Sequence, residues 1–75
     1  MDMKARKKKY KRTFNEAYQW LLDNCEYEHK DRNYFIRVAR EMVTLSDGGE
    51  DALRNAILIA IYSEFDRLAA EELKP

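Results

Sequence analysis

Three observations predict an all-α chain, a small three-helix bundle-like domain carrying a basic N-terminal arm. Residues that break helices are scarce: the 75 residues include two glycines and one proline, and both glycines sit together in Ser46-Asp47-Gly48-Gly49. Apolar residues recur with helical spacing in three separate segments. Capping residues stand ahead of those segments. The domain is expected over residues 13–75, with helices at about 14–25, 32–45 and 50–73, and the arm over residues 1–12.

The first helix is signalled by Thr13-Phe14-Asn15-Glu16, which matches a capping box. At about 100° per residue, Phe14, Ala17, Tyr18, Leu21, Leu22 and Cys25 share one face and are expected to meet the core. Tyr10 extends that stripe, so the arm is either a tail that ends at a Thr13 cap or a helical extension of the first helix. Residues 25–32 are polar and aperiodic, and Asp31 is the expected cap of the second helix. There Phe35, Val38, Ala39, Met42 and Val43 form the apolar stripe, widened by Tyr34, Ile36 and Leu45, with Arg37, Arg40 and Glu41 opposite. Asp47-Gly48-Gly49-Glu50 is a second possible capping box, placing Glu50 and Asp51 in the first turn of the third helix, where the dipole favours negative charge.

That third helix is apolar over roughly 200° of its circumference, about twice what a surface helix needs. Either it lies at the centre of the bundle or it supplies an interface, and a homodimer through helices two and three is the expected use of the surplus. Ile36, Leu58, Ile59, Ile61, Tyr62 and Phe65 are the candidate interface residues. Arg54 and Glu64 fall inside the apolar arc and need partners there: each other's copies across a dimer seam, Arg37 or Arg40, or water at the edge of the face. Trp20 projects on the side of Glu16, Asp23 and Asn24, away from the expected stripe. It is a further interface candidate, as an anchor for a partner or a platform for a base, unless it packs on the arm or near Tyr27.

Charge is distributed unevenly. The chain carries 14 basic and 14 acidic side chains, yet residues 1–12 hold seven of the former and one of the latter, a net of +6 against −6 for the remainder. Lys4, Arg6, Lys7, Lys8, Lys9, Lys11 and Arg12 are the candidate nucleic-acid-binding residues, because clustered cations neutralise phosphates and release counterions without reading sequence. With about five duplex phosphates contacted, log affinity would fall with log salt at a slope near −4.5. The expected partners are therefore nucleic acid, DNA or RNA, or an acidic protein surface. Basic clusters also serve as localisation signals or remain solvated tails.

Other functions find little support. Helix two, a glycine turn and helix three occur in helix-turn-helix order, but Glu50 and Asp51 at the start of the last helix would face phosphates. No catalytic residue is assigned: Cys25 and the sole histidine, His29, have no orienting partner or oxyanion loop. Glu26-x-x-His29 has the spacing of carboxylate-bridged metal bundles, yet one chain has a single copy and few inward carboxylates, so neither a metal site nor a cofactor is expected. One cysteine forms no intramolecular disulfide, and the longest apolar run, residues 56–62, is too short to span a bilayer. The expectation is a cytoplasmic, non-enzymatic regulatory or accessory protein that binds nucleic acid through its arm while the body dimerises. The alternative is a protein-binding modulator or inhibitor, whose arm, acidic body and apolar surface dock on a partner protein.

Overall fold

Asp2, the only acid in the arm, starts the first helix at once. Its carboxylate accepts a hydrogen bond from the Ala5 backbone N–H at 2.7 Å, and its carbonyl accepts one from Arg6 at 3.1 Å. In the computed structural model, which describes residues 2–26 and 31–72, α1 therefore runs unbroken over Met3–Cys25. Lys, Arg and Ala are strong helix formers and nothing in the arm interrupts them. Thr13 is thus an interior residue, buried against the bundle, and the Thr13–Glu16 capping box is not formed.

Asp31 caps α2 (Arg32–Ser46), its side chain accepting from the Tyr34 N–H at 3.0 Å. The helix stops where Asp47 turns into the left-handed region at φ 49°, its N–H donating to the Thr44 carbonyl. Gly48 at φ 88° and Gly49 at φ 77° carry the chain through a short 3₁₀ turn, backbone that side chains with a Cβ rarely adopt. The cap of α3 (Ala52–Glu72) is Asp51 rather than Asp47, since its carboxylate accepts from the Arg54 N–H at 3.1 Å. Asn55 Nδ2 donates back to the Gly49 carbonyl at 2.7 Å and ties the turn to the helix.

Cross-helix contacts give the topology. Lys9, Glu16 and Trp20 of α1 meet Asp51, Arg54 and Phe65 of α3 in ascending order, so those helices run parallel. Tyr34 of α2 meets Phe65 while Leu45 meets Arg54, so α2 runs antiparallel to both. The result is an up-down-up arrangement in which α3 packs on both other helices. That central position uses much of its wide apolar arc. Antiparallel packing of α2 and α3 also differs from the steep crossing of a helix-turn-helix.

The core consists of Trp20, Tyr34, Val38, Leu58 and Phe65. Phe65 receives Trp20 edge-on at 5.1 Å between ring centres and Tyr34 at 6.1 Å. Here the structure corrects the expected orientation of α1 and adjusts that of α2. In α1 the buried face is Thr13, Ala17, Trp20 and Asn24, while Phe14 and Tyr18 are 55% and 61% exposed and Tyr10 and Leu22 also face outward. In α2 most of the expected stripe faces inward, with Val38 buried, Phe35, Met42 and Leu45 packed half-buried against the core and Ala39 half-buried, but Tyr34 stands at its centre, Arg37 and Glu41 are half-buried, and Val43 and Ile36 are exposed. Helix α1 is turned by roughly a quarter revolution from the position its apolar periodicity predicts, and α2 by less.

Candidate nucleic-acid interface

Two polar clusters account for that rotation, because they make it inexpensive to bury the faces that read as solvated. In the first, Glu41 Oε1 accepts from Trp20 Nε1 at 3.1 Å and from Asn24 Nδ2 at 3.2 Å. Arg37 donates to Asn24 Oδ1 at 2.6 Å, and the Tyr34 hydroxyl donates to the Asn24 carbonyl at 3.1 Å. Trp20 is only 4% exposed, so it is a core residue with a satisfied N–H and is not available as a surface anchor. No buried side-chain polar atom among the described residues lacks a partner.

Arg54 builds the second cluster, and joins all three helices. Its guanidinium donates to Glu16 at 2.6 Å, to the Leu45 carbonyl at 3.1 Å and to Thr13 Oγ1 at 3.4 Å, with the side chain only 12% exposed. Leu45 lies in the last turn of α2, where carbonyls lack helical donors and the dipole favours a cation. Arg54 is therefore paired within one chain, with Glu16 rather than with Glu64, Arg37 or Arg40. Glu64 reaches the edge of its face and takes a two-pronged contact from Arg67 at 2.6 Å.

Hydrogen bonds from Arg12 and then Arg54 hold the Glu16 carboxyl below its ordinary range. A carboxyl lowered in the folded state stabilises the fold above its unfolded value, about 4.3, and that contribution disappears as pH falls through the folded value. Replacing Arg54 with alanine is expected to cost about 2 kcal/mol in urea denaturation at neutral pH, since it removes charged hydrogen bonds at a poorly exposed site. Glu16→Gln should flatten the fall in stability below about pH 4 relative to wild type.

The same contacts divide the arm. Lys9 pairs with Asp51 at 3.5 Å and Arg12 with Glu16 at 2.9 Å. The Asp51 carboxyl is lowered first by the Arg54 backbone N–H and then by Lys9. Between this inner side of α1 and the α2–α3 turn lies a polar concavity of about 900 Å³, with Lys8, Lys9 and Arg12 on one wall and Asp47, Glu50 and Asp51 on the other. Lys4, Arg6, Lys7, Lys8 and Lys11 are exposed and form no ion pair among the described residues. Residues 3–8 precede Lys9, the partner of Asp51 at the head of α3, so nearly two turns of α1, about 9 Å, extend past the bundle. The molecule is accordingly long, 52 × 19 × 16 Å.

Of the candidate interface residues, Trp20, Leu58 and Phe65 belong to the core, and Ile61 and Tyr62 pack half-buried against it. Ile36 and Ile59 are exposed, joined by Val43. Cys25 is a partly buried free thiol directed at the Leu22 carbonyl. Tyr27, Glu28 and His29 lie outside the described residues, among which no group of histidine, cysteine and carboxylate side chains is placed to hold a metal. No described helix is long and apolar enough to cross a membrane. Comparison with protein-family models, curated proteins and solved structures returns no match for this chain.

Proposed function

We propose that the protein is a non-enzymatic nucleic-acid-binding accessory factor, held to the phosphate backbone by the projecting basic end of α1. The observation that carries this reading is the row of exposed lysines along the outer side and rim of that helix, none of which forms an ion pair among the described residues. Lys4, Lys7, Lys8 and Lys11 stand at i, i+3, i+4 and i+7, so they project as neighbours on one face. Two forces oppose such an arrangement in the free protein. Like charges at i, i+4 repel, and cations at a helix N-terminus meet the positive end of its dipole. A polyanion relieves both, so binding and helicity of the arm are coupled.

Fluorescence anisotropy of labelled nucleic acid at low salt tests the reading, with far-UV circular dichroism of the same mixtures. Binding accompanied by a gain in helical signal supports it. Absence of binding at the lowest salt rules it out. Deleting the arm is a poor test here, since it also removes Lys9 and Arg12 from their contacts with Asp51 and Glu16.

Dimerisation is part of the proposal. Ile36, Val43 and Ile59 form its apolar surface, and Ile59 is 60% exposed. Ile59→Glu should convert a dimer to a monomer in sedimentation equilibrium with little loss of stability, because the residue is outside the core. A wild type that sediments as a monomer at high concentration would refute self-association.

A further inference from the structure

The outer face of α1 does not end with the lysines. At 100° per residue, Lys4, Lys7, Lys11, Phe14, Tyr18 and Leu22 fall within about 80° of one another, and their centre is roughly 140° from the buried face. All six are exposed, Lys8 standing at the rim. The helix thus carries three cations that form no ion pair among the described residues, then two aromatic rings and a leucine, along one continuous strip about 27 Å long. Neither Phe14 nor Tyr18 makes a ring contact with another described aromatic side chain.

We propose that this strip is a track for single-stranded nucleic acid, with phosphates along Lys4, Lys7 and Lys11 and on Lys8 at the rim, and unpaired bases stacked on Phe14 and Tyr18. The inference rests on the nucleic-acid reading above and specifies its substrate. Cations following a backbone beside exposed rings are the general means of holding a single strand without sequence preference. A duplex offers the lysines phosphates, but its bases are already stacked and gain nothing from the rings. The acidic groups also favour the thinner ligand: Glu26 follows Leu22 at the C-terminal end of α1, and Asp47, Glu50 and Asp51 occupy the turn behind the strip. A second copy laid parallel on this face would bring lysine against lysine, and three apolar side chains in single file are too narrow for a lipid surface.

Labelled oligothymidylate, oligouridylate and a DNA duplex are titrated by anisotropy at low salt with wild type, Phe14→Ala/Tyr18→Ala and the glutamine variant of Lys4, Lys7, Lys8 and Lys11. Wild type should bind both single strands comparably and more tightly than the duplex. The aromatic variant should lose about tenfold or more in single-strand affinity for each ring removed, with duplex affinity and salt slope unchanged. Its circular dichroism should match wild type, because both rings are exposed. Three results overturn the proposal in distinguishable ways. If the aromatic variant binds single strands as wild type does, while the lysine variant does not, the phosphate contact stands and the track is wrong. If wild type binds no nucleic acid, both readings fail. If the aromatic variant changes only the oligomeric state in sedimentation, the strip belongs to a second copy of the chain.

Discussion

Replacing Trp20 with alanine should destabilise the domain by about 3–5 kcal/mol, the range for truncating a large buried aromatic side chain. Chains of this size are usually stable by only about 4–11 kcal/mol, so much of the population would unfold under mild denaturant. The substitution empties the space beside Phe65, whose ring lies 5.1 Å from the indole, and leaves Glu41 without one of its donors. Trp20→Phe separates these effects: it retains most of the packing and should cost about 1 kcal/mol for the lost hydrogen bond. Phe14→Ala and Tyr18→Ala, at positions that the apolar pattern assigns to the core, should change stability by no more than about 0.5 kcal/mol. Urea denaturation followed by circular dichroism ranks the four variants. A Trp20→Ala protein as stable as wild type would return the indole to the surface and invalidate the orientation of α1.

The second large effect concerns binding. Substituting glutamine for Lys4, Lys7, Lys8 and Lys11 should weaken single-strand affinity by about 10²–10³-fold near 0.1 M salt, the counterion-release contribution of four phosphate contacts. Stability should hold or rise slightly, because the repelling pairs Lys4–Lys8 and Lys7–Lys11 are gone and none of the four side chains forms an ion pair among the described residues. The inner pair behaves differently. Lys9→Gln/Arg12→Gln removes contacts to Asp51 and Glu16, so its effect should fall more on how α1 is seated than on affinity. Equal loss of affinity in the two variants would mean that the arm acts as undifferentiated charge.

The helices themselves were legible in the sequence, because helix propensity, the Asp31 cap and the paired glycines act over a few residues. Helical extension through the arm was one of two readings, and Asp2 as an N-cap decides it. The rotational setting of α2 was largely legible in its apolar stripe, whereas that of α1 was not. It depends on Glu16 with Arg54, Trp20 with Glu41 and Asn24 with Arg37, partners 38, 21 and 13 residues apart, and no periodicity encodes them. Arg54 was recognisable as a charge needing a partner within an apolar arc. Its partner was hidden because Glu16 fits a local capping box equally well. The charge of the arm was plain, but its division into paired and unpaired cations depends on Asp51 at the far side of two helices. The apolar pattern of α1 points Phe14 and Tyr18 inward and Trp20 outward, the reverse of their burial, because the more polar flank of α1 faces inward.

The most direct measurement is the salt dependence of single-strand binding for wild type and for the four-glutamine variant, followed by anisotropy from about 50 to 200 mM salt. Four contacts at the single-strand value predict a log–log slope near −2.8 for wild type, a loss of about fiftyfold across that range, and a slope near zero for the variant. An unchanged slope in the variant would contradict the assignment, because the phosphates would then be held by residues other than the outer lysines of α1.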